Sequence, residues 1–186
     1  MAPVALSSAM AKASATWASG SWWVVRAASS VAQRPVRRAA VVNSGSVERA
    51  WQLWADPRQL ERWWGPPTHP ATVVEHDLTP GAAVRYYMTS PEGEKYHGLW
   101  EVVSVDPPRS VELLDRFADD SGAANPDLPT TEMTVSLTER AGGGTVMTLR
   151  STFASVEAME QLVAMGMEEG LKEALGQIEA VLASAP

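Results

Sequence analysis

The sequence predicts an α+β domain in which a curved antiparallel sheet wraps around one long C-terminal helix, with two short helices after the first strand. Three patterns carry that expectation. Between Thr72 and Phe153, β-branched and aromatic residues run in short segments separated by turn signals at regular intervals. From Val156 onward the apolar period changes to three or four, the spacing of a helix face. Ahead of the sheet, a second helix start at Asp56-Pro57 follows directly on a first helix.

Val36 to Asn43 is small and β-branched and reads as a strand that ends at Ser44-Gly45-Ser46. Val47, Ala50, Trp51 and Trp54 then fall at i, i+3, i+4 and i+7, one face of a short helix with Glu48 in its first turn. Asp56-Pro57-Arg58-Gln59 supplies an N-cap, a proline at N1 and a Gln at N3, so that cap and Gln are expected to satisfy each other's orphan amides. Leu60, Trp63 and Trp64 form the apolar side of this second helix, and Gly65-Pro66-Pro67 stops it.

Six strands follow, near Thr72 to Asp77, Ala83 to Thr89, Glu94 to Val105, Ser110 to Phe117, Glu132 to Glu139 and Thr145 to Phe153. Four short turns and one long acidic loop, Ala118 to Thr130, connect them, and tight turns join only antiparallel neighbours. Alternation assigns Tyr86 and Met88 to one face and Arg85 and Tyr87 to the other. The last segment, Ser155 to Ser184, is read as one long helix packed on the sheet's concave face. Gly166, Gly170 and Gly176 inside it each cost ~1 kcal/mol against alanine, which points to a close approach on that face or to a bend. A sheet gripped by a helix with small helices at one end leaves a cavity between the layers.

Composition narrows the function classes. The 186 residues suit one domain with a real core, and the longest stretch without charge, Ala13 to Val25, is too short to span a bilayer. Zero cysteines exclude disulfides, thiolate nucleophiles, zinc fingers and iron-sulfur clusters. All 22 acidic side chains lie at or after Glu48, so the body repels phosphate and nucleic acid is a poor partner. Residues 1–35, rich in Ala, Ser and Trp and free of acids, read as an extension outside the fold: a misassigned start, a transit peptide or a basic tail. Residues 36–186 are the domain. The expected location is cytoplasmic, or an organelle if the extension is a transit peptide.

The run Val47-Glu48-Arg49-Ala50-Trp51-Gln52-Leu53-Trp54-Ala55-Asp56-Pro57, the Trp63-Trp64-Gly65-Pro66 stop, Asp77-Leu78-Thr79-Pro80-Gly81, Pro91-Glu92-Gly93 and Gly142-Gly143-Gly144-Thr145 carry a family signature. Over about Val47 to Leu182 the chain resembles the family related to the C-terminal domain of the activator of heat-shock-protein ATPase, within the START-like or SRPBCC superfamily. The resemblance implies the helix-grip (Bet v-like) fold and a binding cavity. It names no reaction, because the superfamily holds ligand binders, cyclases, hydrolases and chaperone-associated domains. Three departures stand out. Val41 to Ser46 replaces the family's aromatic and Ala-Pro opening, Gly81-Ala82 replaces a Gly-Gly, and Gly170-Leu171 replaces a Gly-Trp, which reshapes the pocket.

The chemistry-bearing residues give no catalytic motif. His69, His76 and His97 lack metal spacing, and no metal or cofactor is expected. Glu75, Asp77 and Glu101 offer carboxylates for acid-base work only if buried. The Gly142 to Gly144 run joins two strands and opens no helix, so it makes no phosphate cradle. Trp64, Tyr86, Met88, Tyr96, Trp100, Met133, Met167 and Leu171 are the candidate ligand-binding residues, since methionine and aromatic surfaces adapt to irregular apolar molecules. Met147 and Met165 belong to the same set of cavity candidates. Trp64 and Trp100 are expected to line the cavity mouth. The expected partner is a small apolar molecule. A cyclase- or hydrolase-like enzyme is an alternative, and so is a chaperone-interaction domain; a homodimer stays open.

Overall fold

A computed structural model describes residues 36–43 and 45–184. The readings of residues 1–35 lie outside them. In chain order the elements are β1 (Val36–Asn43), α1 (Val47–Ala55), α2 (Pro57–Leu60), β2 (Ala71–His76), β3 (Ala83–Thr89), β4 (Lys95–Asp106), β5 (Ser110–Phe117), β6 (Thr131–Glu139), β7 (Thr145–Phe153), α3 (Val156–Ala164), α4 (Met167–Gly176) and α5 (Ile178–Ala183). The sheet has the order β1-β7-β6-β5-β4-β3-β2 with every pairing antiparallel. The six later strands form the expected meander, and β1 extends it by pairing with β7.

Period-two alternation turns one face inward. Val84 and Tyr86, Trp100 and Val102, Val111 and Leu113, Met133, Val135 and Leu137, and Met147 and Leu149 are all buried on it. In register, Tyr86 lies opposite Gly98, Trp100 opposite Asp115, and Leu113 opposite Met133. The helices cover this face.

The helical corner differs from its sequence reading in two ways: α2 is a single turn that ends at Leu60, so that Trp63 and Trp64 lie in the turn after it, and its expected capping box is incomplete. Ser46 caps α1 through the Arg49 amide, and Asp56 caps α2 through the Arg58 amide at 2.8 Å. The reciprocal bond expected of Gln59 does not form. Its carbonyl oxygen instead accepts from the Arg49 guanidinium, and its amide nitrogen reaches the Asp56 carboxylate at 3.4 Å. Arg49, a turn away on α1, is a charged donor that outcompetes a backbone N–H for this oxygen.

The C-terminal segment does not run as one helix from Ser155 to Ser184: α3 stands apart from the long helical run of α4 and α5, which is interrupted only at Gln177. Gly166 sits at φ 88°, a left-handed conformation that a continuing helix cannot contain, and it separates α3 from α4. A second break at Gln177 separates α4 from α5. That break is anchored, because Gln177 Nε2 donates to the carbonyls of Trp63 at 3.1 Å and Gly65 at 2.8 Å. Arg49 adds a bond to the Val181 carbonyl at 3.0 Å. With Arg62 donating to the Ser184 hydroxyl at 2.8 Å, the corner and the last helices are tied at three points.

Candidate functional site

The indoles of α1, of the turn after α2 and of β4 assemble into one cluster. Trp54 packs edge-on to Trp63 with centroids 5.0 Å apart, and Trp64 packs edge-on to Trp100 at 4.8 Å. Trp54 and Trp100 approach to 5.7 Å, and Tyr86 joins Trp100 at 5.3 Å. Such offset and edge-to-face pairs add ~0.5–1.5 kcal/mol each beyond area burial. Three of these indoles satisfy their N–H groups: Trp63 on the Leu53 carbonyl, Trp54 on the Met147 sulfur and Trp100 on the Asp115 carboxyl. The Trp64 N–H is buried without a hydrogen-bond partner.

Beside this cluster the two layers part and form an open-sided cavity of about 200 Å³. The sheet contributes Tyr86, Met88, Tyr96, Met133 and Ser151, the corner contributes Trp64 and His69, and α3 and α4 contribute Leu162, Met167, Gly170 and Leu171. Met165, between those two helices, also reaches it. Seven of the eight residues expected from the sequence therefore share this wall. Trp100 does not. It is 1% exposed and lies behind Trp64 and Tyr86, because mid-strand on β4 it faces the indole cluster. Met147 likewise sits in the core, fully buried under Trp54. Of the two tryptophans expected at the mouth, only Trp64 lines the cavity.

Tyr86 reaches into the cavity because of Gly98. A Cβ at position 98 would stand 2.3 Å from Tyr86 Cζ and 2.5 Å from its hydroxyl oxygen, so the ring lies flat across the neighbouring strand only over glycine.

The carboxylates read from the sequence are occupied elsewhere. Glu75 pairs with Arg85, Asp77 caps the Thr79 amide at 2.8 Å, and Glu101 pairs with Arg116 at 3.1 Å. His76 bonds the Trp54 carbonyl through Nε2 at 2.8 Å, a structural contact that fixes β2 to the corner. His69, at the cavity wall, shares a hydrogen bond with Thr68 at 2.9 Å. His97 reaches the wall as well, its ring 5.6 Å from that of Tyr87.

The carboxyl that does face the cavity is Asp115, which sequence reasoning passed over. It accepts one hydrogen bond, from Trp100 Nε1 to Oδ1 at 3.0 Å, and the described residues offer Oδ2 none. Asp115 is half-buried, its remaining surface belonging to the cavity wall. Loss of water around the carboxyl raises its pKa to about 7, against the opposing pull of the Trp100 bond. Burial, and next the Asp115 charge, raise the Tyr86 phenol well above its usual range. The Trp64 and Trp100 indoles lie close enough to oppose that shift, though neither meets hydrogen-bond geometry with the hydroxyl. A signal for Asp115 was present in the sequence: in Val111-Glu112-Leu113-Leu114-Asp115, alternation puts the aspartate on the face of the two buried residues.

Comparison with known proteins fits this architecture. Residues 44–183 match the family model described as Activator of Hsp90 ATPase homolog 1-like protein. The chain belongs to this family. Among solved structures, the chain shares 48% identity with Protein Ms6760 from Mycobacterium smegmatis, with a TM-score of 0.74 over 81% of this chain and 92% of that one. A protein from Arthrobacter aurescens shares 46% identity, with a TM-score of 0.75 over 80% and 86%. CalU16 from Micromonospora echinospora, at 16% identity and a TM-score of 0.57 over 89% and 87%, shares the fold alone. No curated protein matches. The family and the architecture together make this a START-like domain of the helix-grip type. Among the described residues no helix is long and apolar enough to cross a membrane, and no three His, Asp or Glu side chains gather as a metal site.

Proposed function

We propose that the domain, residues 36–186, binds a small hydrophobic or aromatic molecule in the cavity between α4 and the sheet. The observation that carries this reading is the cavity itself, about 200 Å³ walled by Met88, Met133, Met165, Met167 and Leu171 with aromatic rings at one end. It exceeds the ~150 Å³ apolar cavity that takes up benzene. Trp64, Tyr86, Met88, Tyr96, Met133, Met167 and Leu171 are the contacts assigned to the ligand. Native mass spectrometry of the purified chain, followed by a thermal-shift screen of hydrophobic metabolites, tests the reading. A ligand at 100 times its Kd stabilises by ~2.7 kcal/mol and changes Trp64 emission. Absence of any co-purified mass and of any stabilisation, with retention on a chaperone column, would transfer the assignment to an interaction domain. Against that outcome, the exposed large apolar side chains among the described residues are Val74, Val103 and Val156, on three separate elements.

An enzymatic reading draws on Asp115, whose pKa of about 7 suits proton transfer at neutral pH. Turnover of a bound molecule, lost in Asp115→Asn, would establish it. Binding without chemical change in the ligand's mass would leave the domain a carrier.

A further inference from the structure

The cavity wall is mostly apolar, with His69, Asp115, Thr131 and Ser151 among its polar residues. At one end Asp115, Tyr86 and Trp64 meet, with the Trp64 and Tyr86 rings 6.1 Å apart and Trp100 behind both. We infer that this end is a subsite for an oxygen acceptor, so that the molecule bound is an aromatic or alicyclic body carrying a carbonyl oxygen. The inference rests on the ligand-binding reading above and specifies its chemistry.

Trp64 and Tyr86 supply donors at this end, and the Thr131 hydroxyl, opposite Asp115 in register, can donate or accept. The Trp64 N–H is unpartnered and 93% of the residue's surface is buried, and a buried donor without an acceptor costs ~1–3 kcal/mol. The Tyr86 hydroxyl has a raised pKa and keeps its proton. At Asp115, Trp100 occupies Oδ1, which leaves Oδ2 as the oxygen that carries the proton of the neutral acid and can donate it in a hydrogen bond. The neighbouring Arg116 pairs with Glu101 and supplies no counter-charge that would favour the Asp115 carboxylate.

An ammonium ligand would fit the same place poorly. Its three N–H groups need acceptors, and beside the Asp115 carboxyl and the Thr131 hydroxyl this end presents the Trp64 indole N–H and the Tyr86 phenol. A carbonyl oxygen presents two lone pairs to donors that otherwise go unused. The methionines on the facing helices then enclose the apolar remainder.

Three naphthalenes of matched shape test this on the full chain by isothermal titration calorimetry: 2-acetylnaphthalene, 2-isopropenylnaphthalene, which replaces the carbonyl oxygen by CH₂, and 2-(aminomethyl)naphthalene. The ketone is expected to bind roughly tenfold more tightly than the alkene. Tyr86→Phe and Asp115→Leu should each erase most of that preference, while Asp115→Asn, which keeps an N–H donor, should retain it within about threefold. Thermal unfolding checks each variant, and Tyr86→Phe preserves the ring over Gly98. Equal affinity for ketone and alkene in the unaltered protein overturns the subsite and leaves the cavity reading standing. So does tighter binding of the amine that disappears in Asp115→Asn. Failure of all three to bind removes the cavity reading and this inference with it.

Discussion

The two ends of the covered sheet face are built from different materials. At the corner end, Trp54, Trp63, Trp64 and Trp100 lock edge to face and leave no space, and Gln177 and Arg49 pin the last helices to them. At the other end, flexible methionines and a helix pair jointed at Gly166 surround a cavity. Rigid rings hold the layers at a fixed separation on one side, and that separation keeps the other side open. A uniformly packed interior would be more stable and would hold no ligand.

Breaking the packed end has the largest expected effect. Trp54→Ala removes a ring that touches three other indoles and is 1% exposed, and should cost ~3–5 kcal/mol in urea unfolding. A loss below ~1 kcal/mol would show that the indole cluster is not the rigid frame.

The open end is tested by pH. Asp115 ionises near 4 unfolded and near 7 folded, so the folded state favours the proton. Its contribution is complete below pH ~4 and declines by up to ~1.4 kcal/mol per pH unit as pH rises to about 7, about 4 kcal/mol at most in total. Asp115→Asn should flatten that decline across the interval, as followed by denaturant melts at several pH values. Parallel pH profiles for the two proteins would place Asp115 in contact with water.

The junction between the ends is probed by Gly98→Ala, whose methyl would collide with the Tyr86 ring and should destabilise by ~1–3 kcal/mol. Tyr86→Leu in the same chain should recover part of that loss, a coupling that a double-mutant cycle reads directly. The smallest effect is expected from Met133→Leu at the cavity wall, under ~1.5 kcal/mol in stability, with a change in which hydrophobic molecules raise the melting temperature. Equal sensitivity of Met133 and Trp54 would erase the distinction between the two ends.

Most of the architecture was legible because it is written in local patterns. β3, β5 and β7 begin and end where alternation and turn residues place them, and the Asp56-Pro57 corner announces itself through cap chemistry. Seven cavity-wall residues were legible as aromatic and methionine positions on the right faces. What escaped depends on partners distant in sequence. Trp100 belongs to the core because Trp64 and Tyr86 stand in front of it, and Gln59 abandons its cap because Arg49 is within reach. Asp115 escaped although alternation placed it inward, since its surroundings come from Trp100, Tyr86 and Thr131 on other strands.

The ring of Tyr86 lying across Gly98 couples the depth of the cavity to two positions on adjacent strands. Enlarging residue 98 alone drives the ring off its seat, and shrinking residue 86 alone leaves a hollow over a bare backbone. Only the joint exchange exchanges one well-filled floor for another. In descendants of this sequence, the shape of the cavity floor is therefore expected to change at positions 86 and 98 together.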